Sequence, residues 1–184
     1  KGTPRTDVGK KATKAVRASA GIPCVLYGSK EVIHFQTTES ELRHLVFTGD
    51  FKVAELDIEG KKVRSILKAI QFHPVKDNIV HVDFLELVAG QAVKLEIPLK
   101  PRGSSPGVKL GGKLIQSVRK VKVKTTPEKM VDELFVDISG LELGQSLRIK
   151  DIIAVDGIDI QQNASIPVVS IEIPRALRRA AAKE

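Results

Sequence analysis

Hydrophobic and polar residues follow two different periods in the first half of the chain, and two of its segments have helical spacing. Residues 10–20 carry cations on one side and small apolar residues on the other, which predicts a short helix that stops at Gly21. Thr38 and Glu41 have the spacing of a capping box. The apolar stripe that follows them predicts a second helix that ends at Gly49.

The other residues of this half alternate between apolar and polar side chains, which is typical of half-buried β-strands. Glycine and proline separate the alternating runs. The predicted strands are 24–28, 32–36, 53–59, 63–72 and a last strand that includes 80–84. Together with the two helices, these strands predict a compact α+β domain that is rich in β-structure.

The last of these strands follows a proline turn and combines an apolar face with a polar one. Val80, Val82 and Phe84 alternate with His81 and Asp83, so the two sets are expected on opposite sides of the strand. One face therefore belongs to a core, and the other presents a histidine–aspartate pair outside it.

The second half of the chain changes in character after Ala89-Gly90, which we predict as the domain boundary. From residue 91 the sequence shows strands and turns and almost no helical periodicity. The predicted strands are 92–99, 114–125, 133–138, 146–150 and 166–173. We therefore expect a mainly β protein with an α+β domain at 1–88, an all-β domain at 89–174 and a basic tail at 175–184.

Positive charge is concentrated in three segments of the chain, whose formal net charge is +8. Six Lys/Arg and one Asp give residues 1–20 a charge of +5, and nine Lys/Arg and one Glu give residues 99–129 a charge of +8. Residues 175–184 carry +3, so the remainder is net negative. Because the basic residues are clustered, a polyanionic partner such as nucleic acid is expected.

The basic face of the first predicted helix is the strongest functional signal. Lys10, Lys14 and Arg17 are spaced at i, i+4 and i+7, so they share one face. Aligned cations repel one another unless a partner such as phosphate neutralises them. A solvated basic face without a partner is the alternative. The candidate nucleic-acid contacts in this region are Arg5, Lys10, Lys11, Lys14, Arg17 and Tyr27.

The second predicted domain contains weaker basic candidates. Its segment 107–113 is similar to a phosphate-binding loop but lacks the Ser or Thr that must follow the lysine, so we expect a flexible basic loop that meets RNA or a protein. Lysines also alternate with valines on one predicted strand, where they either protect an exposed strand from aggregation or form a second RNA-facing surface. The possible secondary contacts are Lys109, Lys113, Lys120, Lys122 and Lys124.

Other chemistries have little support in the sequence. Cys24 is the single cysteine and is expected to be a buried thiol, and the histidines lack metal-ligand spacing, so we expect no metal, cofactor or small-molecule substrate. A hydrolase that uses His73, His81 and Asp83 is the third alternative, without a nucleophile elbow to support it. No apolar run approaches the roughly 20 residues of a membrane span, so a cytoplasmic location is predicted.

Four motifs together connect this chain to a known family. They are Gly9-Lys10-Lys11-Ala12 through Arg17, Gly21-Ile22-Pro23-Cys24-Val25-Leu26-Tyr27-Gly28, Gln71-x-His73-Pro74 with His81-x-Asp83-Phe84, and Gly107-Val108-Lys109-x-Gly111-Gly112. In this order they resemble the bacterial ribosomal protein that binds 5S rRNA, the twenty-fifth protein of the large subunit. The longer two-domain form, known as CTC or general stress protein, is the most similar. The resemblance covers nearly the whole chain.

The resemblance implies a fold and a partner. The fold would be a six-stranded β-barrel with two to three short helices, followed by an all-β domain. The barrel would bind the minor groove of the loop E region of 5S rRNA in the central protuberance, and the second domain would contact neighbouring rRNA or ribosomal proteins. The RNA contacts carried over by position are Arg5, Lys10, Lys14, Arg17, Tyr27, Lys68, His81 and Asp83.

The sequence therefore supports two functions that belong to different classes of protein. The first is a non-enzymatic structural RNA-binding protein of the ribosome. The alternative is a stress-related interaction module whose partner is a protein and whose charge only aids solubility.

Overall fold

The computed structural model describes residues 1–29 and 31–174, so the predicted basic tail at 175–184 lies outside the described residues. The chain divides into two compact units, of which the first is Lys1–Val93 and the second begins at Lys94. Both units are mainly β, as the sequence predicted. The position of the domain boundary, between residues 88 and 89 in the sequence analysis, stays a prediction.

The first unit is a six-stranded sheet with two helices among its described residues. Its elements are β1 (Thr3–Pro4), α1 (Lys10–Ala18), β2 (Gly21–Tyr27), β3 (Ile33–Thr38), α2 (Glu39–Val46), β4 (Val53–Ile58), β5 (Lys61–Phe72) and β6 (Ile79–Glu86). The strand order is β1-β3-β2-β6-β5-β4. Neighbouring strands are antiparallel except for β2 and β6, which run parallel.

The sheet closes into a barrel at the residue before β1. Gly2 forms a parallel bridge with Ile58 at the end of β4, and its N–H donates to the Asp57 carbonyl oxygen at 2.9 Å. This approach needs glycine, because a Cβ here would lie 2.6 Å from Phe35 Cδ2. The six-stranded barrel is therefore confirmed, although β1 itself was not predicted.

The barrel core consists of the inward residues of the strands. Leu26, Phe35, Val82 and Phe84 are fully buried, and the rings of Phe35 and Phe84 lie 5.8 Å apart between centroids. Cys24 lies among them, and burial raises the pKa of its thiol to about 12. The thiol is therefore protonated and unreactive at neutral pH, which agrees with the buried cysteine that we expected.

The first helix ends at Ala18, two residues earlier than predicted. Ala20 adopts the left-handed conformation (φ 58°) that turns the chain into β2. Gly21 has another role, because a Cβ there would lie 3.0 Å from Val16 Cγ1 and 3.1 Å from the Val16 carbonyl oxygen. The glycine therefore allows β2 to leave the helix at close range.

The capping box predicted for the second helix is wrong. Thr38 precedes α2 with an extended backbone, but its side chain makes no capping hydrogen bond. The Glu41 carboxylate instead accepts from the main-chain nitrogen of Lys1 at 3.0 Å. The helix also ends at Val46, before the predicted stop at Gly49. Two acidic residues in its first turn remain favourable for the helix dipole.

Two bulges interrupt the ladder between β5 and β6. The register steps over Lys68 on β5 and over Val80 on β6. The second bulge shifts the alternation, so that Ile79 is buried beside Val82 and Val80 is only half-buried. The prediction that Val80 shares the inward face of the strand is therefore wrong.

The second unit contains two further sheets among its described residues. Its elements are β7 (Val93–Arg102), α3 (Pro106–Lys109), β8 (Lys113–Gln116), β9 (Lys120–Thr125), β10 (Leu134–Asp137), β11 (Ser146–Arg148), a 3₁₀ turn (Ile149–Asp151), β12 (Ile158–Ile160) and β13 (Pro167–Glu172). One sheet has the order β10-β7-β9-β12 and the other β11-β13-β8. The strand predicted at 114–125 is thus two strands, and β12 was missed.

The glycine-rich loop of the second unit packs against its own chain. Ser105 caps α3 by accepting from the N–H groups of Gly107 and Val108. A Cβ on Gly107 would lie 2.8 Å from the carbonyl carbon of Glu142, and one on Gly112 would lie 2.5 Å from an Ile171 side-chain carbon. Gly107 and Gly112 therefore allow close packing within the chain, and the interpretation that these two glycines allow a partner to approach is wrong.

Candidate nucleic-acid interface

His81 and Asp83 form a hydrogen-bonded pair on the outer face of β6. His81 Nδ1 and Asp83 Oδ1 are 2.7 Å apart, and the two side chains are 26% and 30% exposed. Neither residue lines the cleft that the described residues form between α2 and β4. Both side chains are therefore partly exposed on the strand face opposite the core, where a partner can reach them.

The hydrogen bond between these side chains determines what they can offer to a partner. The bond uses Nδ1 of His81 and leaves its Nε2 for a partner, and Asp83 keeps one carboxylate oxygen as an acceptor. Donors such as ribose 2′-hydroxyls and the guanine amino group match a carboxylate acceptor, and both lie in the minor groove of RNA.

The sheet register places several candidate residues in a row across this face. Asp83 is paired with Val25 on β2, and Val25 is paired with His34 on β3. The main-chain N–H of Arg5 donates to the His34 carbonyl oxygen at 2.9 Å. On the other side of β6, Ala69 on β5 is paired with Asp83. The barrel therefore brings Arg5 and Asp83, which are far apart in sequence, onto the same side of the sheet.

Gln71 is a candidate that the predicted contact list missed. The register pairs it with His81, so it lies on the same outer face, and it is exposed. The alternation of the hairpin around the proline turn was the signal that could have identified it. Lys68 is also exposed, at the other bulge of β5, next to the residue paired with Asp83.

Tyr27 at the end of β2 adds a donor to this surface. Burial, and after it the negative charge of Asp83, raises the pKa of its phenol. The hydroxyl therefore keeps its proton at neutral pH and can donate a hydrogen bond.

The basic helix α1 lies beside the same strand. Lys10, Lys14 and Arg17 are exposed on it, as is Lys11, and the half-buried side of the helix contacts β2. Arg17 donates from both Nε and Nη2 to the Val80 carbonyl oxygen, at 3.2 and 3.1 Å. Val80 directly precedes His81, so the last turn of the basic helix lies next to the His81–Asp83 pair.

Arg5 is the least exposed of the predicted cations. Its Nε and Nη1 are buried and have no hydrogen-bond partner among residues 1–29 and 31–174. Only the remaining guanidinium nitrogen, Nη2, is outside this buried set, so a phosphate contact by Arg5 would depend on that atom.

The lysines of the second unit have more acidic surroundings. Lys120, Lys122 and Lys124 are exposed on β9, and the valines between them are buried, as the alternation predicted. Lys122 Nζ lies 3.9 Å from a Glu96 carboxylate oxygen, and Asp159 on β12 is paired with Lys124. Lys109 and Lys113 are exposed near α3.

No group of three or more potential metal ligands occurs in the part of the chain that the structure describes. The same part contains no helix that is long and apolar enough to cross a membrane.

Comparisons with known proteins agree with this small, basic, two-domain β architecture. The model of the "Ribosomal L25p family" matches residues 1–84, and the model of "Ribosomal protein TL5, C-terminal domain" matches residues 92–175. The large ribosomal subunit protein bL25 of Bacteroides thetaiotaomicron is 42% identical, over 99% of this chain and 95% of the relative. That of Cytophaga hutchinsonii is 40% identical, over 100% of this chain and 96% of the relative.

These matches show which class of proteins the chain falls into and which family within that class. The class is that of ribosomal proteins, which are structural and not enzymatic, so the prediction of a non-enzyme is confirmed. Within it, the chain belongs to the bL25 family of large-subunit proteins, in the long form that carries the second domain. The coarse functional prediction, a structural constituent of the large ribosomal subunit, is thereby confirmed.

Proposed function

We propose that this protein binds 5S rRNA in the loop E region of the central protuberance, through the face formed by α1 and β6. The observation that carries the proposal is the contact between Arg17 and Val80, which places the basic helix next to the His81–Asp83 pair. Membership of the bL25 family supports a ribosomal RNA partner in the cytoplasm.

The two parts of this surface have different roles in the proposal. Lys10, Lys11 and Lys14 neutralise phosphates, which provides affinity for any RNA. His81 and Asp83 form hydrogen bonds in the minor groove, which provides discrimination. Asp83 contributes in a second way, because its negative charge repels phosphates and so disfavours docking that brings the RNA backbone onto β6.

A salt titration tests the proposal. If about five phosphates are neutralised, the logarithm of the association constant for 5S rRNA should fall with log[salt] with a slope on the order of −4. A scrambled duplex of equal length is the control and should bind more weakly with a similar slope. A slope near zero, or equal affinity for both RNAs, would contradict the proposal.

For the second unit, placed at 89–174 in this proposal, we infer contacts with neighbouring rRNA or ribosomal proteins. Its exposed cations Lys109 and Lys113 support a weak contact, and the acidic neighbours of the β9 lysines argue against a strong RNA-binding site there. Affinity purification before and after RNase treatment separates this role from the alternative interaction module. Partners that survive RNase would favour the module.

A further inference from the structure

We propose that Arg17 is a positioning residue, which fixes the basic helix relative to His81, and that it is not primarily a phosphate contact. This inference deepens the proposed 5S rRNA binding and rests on it. The sequence grouped Arg17 with Lys10 and Lys14 as equivalent cations. The structure gives its guanidinium a separate task.

The carbonyl group of Val80 is unusual among those of β6. The register with β5 steps over Val80, and the ladder with β2 starts only at Val82. A bulged residue leaves backbone groups outside the ladder, and an unpaired carbonyl in a half-buried position is costly. Arg17 satisfies this carbonyl with two N–H groups at 3.2 and 3.1 Å.

The helix depends on such an anchor. It has nine residues, none of them buried, and a helix of this length is marginal without tertiary contacts. Arg17 lies in its last turn, so the guanidinium links the end of the helix to the bulge immediately before His81. Bulges re-aim the side chains that follow them. Arg17 therefore sets both the position of the cations and the direction of His81.

A charge-conserving exchange separates the two roles of Arg17. Arg17→Lys keeps the cation, but an ammonium group lacks the planar fork that gives one carbonyl two hydrogen bonds. Arg43→Lys is the matched control, since it is the same exchange in the last turn of the other helix of this unit, and Arg43 is exposed. We expect Arg17→Lys to lower the preference for 5S rRNA over a scrambled duplex by about tenfold, the scale of one charge-assisted hydrogen bond. Its salt slope should match that of the wild-type protein, and Arg43→Lys should preserve both quantities.

A phosphate contact predicts another pattern. Arg17→Lys would then retain the preference for 5S rRNA, or would lose affinity equally on both RNAs. Either result would overturn the positioning role.

Hydrogen exchange in the free protein provides a readout that does not require RNA. In Arg17→Lys, amides of α1 and the amide of His81 should exchange about tenfold faster, because local opening no longer has to break both hydrogen bonds to the Val80 carbonyl oxygen. Arg43→Lys should leave the exchange of these amides unchanged. If exchange is faster in Arg17→Lys but the wild-type protein shows no preference for 5S rRNA, the proposed function is refuted and the anchoring role of Arg17 is retained. Unchanged exchange in Arg17→Lys would refute the anchor itself.

Discussion

The helix α1 and the strand β9 each carry three aligned cations, but their surroundings differ. On α1, Lys10 and Lys14 have no carboxylate within 4 Å among the described residues, and the third cation, Arg17, contacts a carbonyl group. On β9, Lys122 pairs with Glu96, and Asp159 is paired in register with Lys124. The two arrays therefore have the same number of cations but differ in the negative charge beside them.

The two arrays differ in how far neighbouring carboxylates neutralise their cations. Cations that already have carboxylate neighbours release less free energy when they meet phosphates, because the protein's own ion pairs must be given up. Uncompensated cations next to hydrogen-bonding groups can combine affinity with discrimination. The first unit has cations without carboxylate partners next to hydrogen-bonding groups, whereas the lysine row of the second unit has acidic neighbours at Lys122 and Lys124.

The most direct test of the difference between α1 and β9 is to remove two cations from each. Lys10→Gln with Lys14→Gln should weaken 5S rRNA binding by roughly a hundredfold at about 0.1 M salt and should make the slope shallower by about two. Lys122→Gln with Lys124→Gln is the matched control and should change affinity by less than about threefold, since Lys122 pairs with Glu96 and Asp159 lies opposite Lys124. Filter binding over a range of salt concentrations measures both. Equal losses of affinity in the two double variants would show that neighbouring carboxylates do not determine which cations bind RNA.

Substitutions of His81 and Asp83 test how the first unit distinguishes 5S rRNA from other RNA. Asp83→Asn removes a charge that repels phosphates, so binding to a scrambled duplex should tighten while the specific contact weakens. His81→Ala should weaken only the specific contact. In each variant the free-energy gap between 5S rRNA and the scrambled duplex should shrink by roughly 1–3 kcal/mol. Asp159→Asn in the second unit is the control for charge alone, and a similar narrowing there would contradict the role of Asp83.

Alkaline pH should distinguish the stabilities of the two units. The single cysteine, Cys24, and the single tyrosine, Tyr27, both belong to the first unit, and both pKa values are raised by burial. A raised pKa means that the folded state favours the protonated group. The corresponding stability is complete below the ordinary thiol pKa of 9.0 and is lost as the pH rises toward the folded value of about 12.

We therefore expect the first unit to lose about 1.4 kcal/mol of stability per pH unit above pH 9 in excess of the second unit. Urea unfolding, followed by methyl resonances of Val82 and Val123, reports the two units separately. Cys24→Val should flatten most of the extra dependence. Parallel curves for both units in the wild-type protein would show that the thiol does not titrate with folding.

Much of the first unit was predictable because its signals are local. Alternation located β2 to β6 and the inward positions of Val82 and Phe84, and the spacing of Lys10 and Lys14 placed them on one helix face. These inferences need only the geometry of a helix or a strand, which depends on neighbours in sequence.

The features that were missed depend on contacts between distant residues. Gly2 meets Ile58 only when the sheet closes, and nothing near Gly2 in the sequence indicates a strand. The bulge at Val80 interrupts an alternation that looked complete, and the contact with Arg17 joins residues 63 positions apart. In the second unit, Gly107 was interpreted as flexible because its close packing against Glu142 is also non-local.

The closure of the barrel has a consequence for the order of folding. The first strand pairs with β3, and Gly2 pairs with the end of β4, so the beginning of the chain lacks both neighbours until much of the unit has been synthesised. Contacts between residues far apart in sequence form late, because the chain must first pay the entropy of closing a long loop. During translation the hairpins of β2 with β3 and of β4 with β5 can form before the N-terminal strand docks. The cylinder is complete only after β6, the last strand of the unit to be synthesised, has also joined β2 to β5, so two long-range pairings must form before the unit is closed.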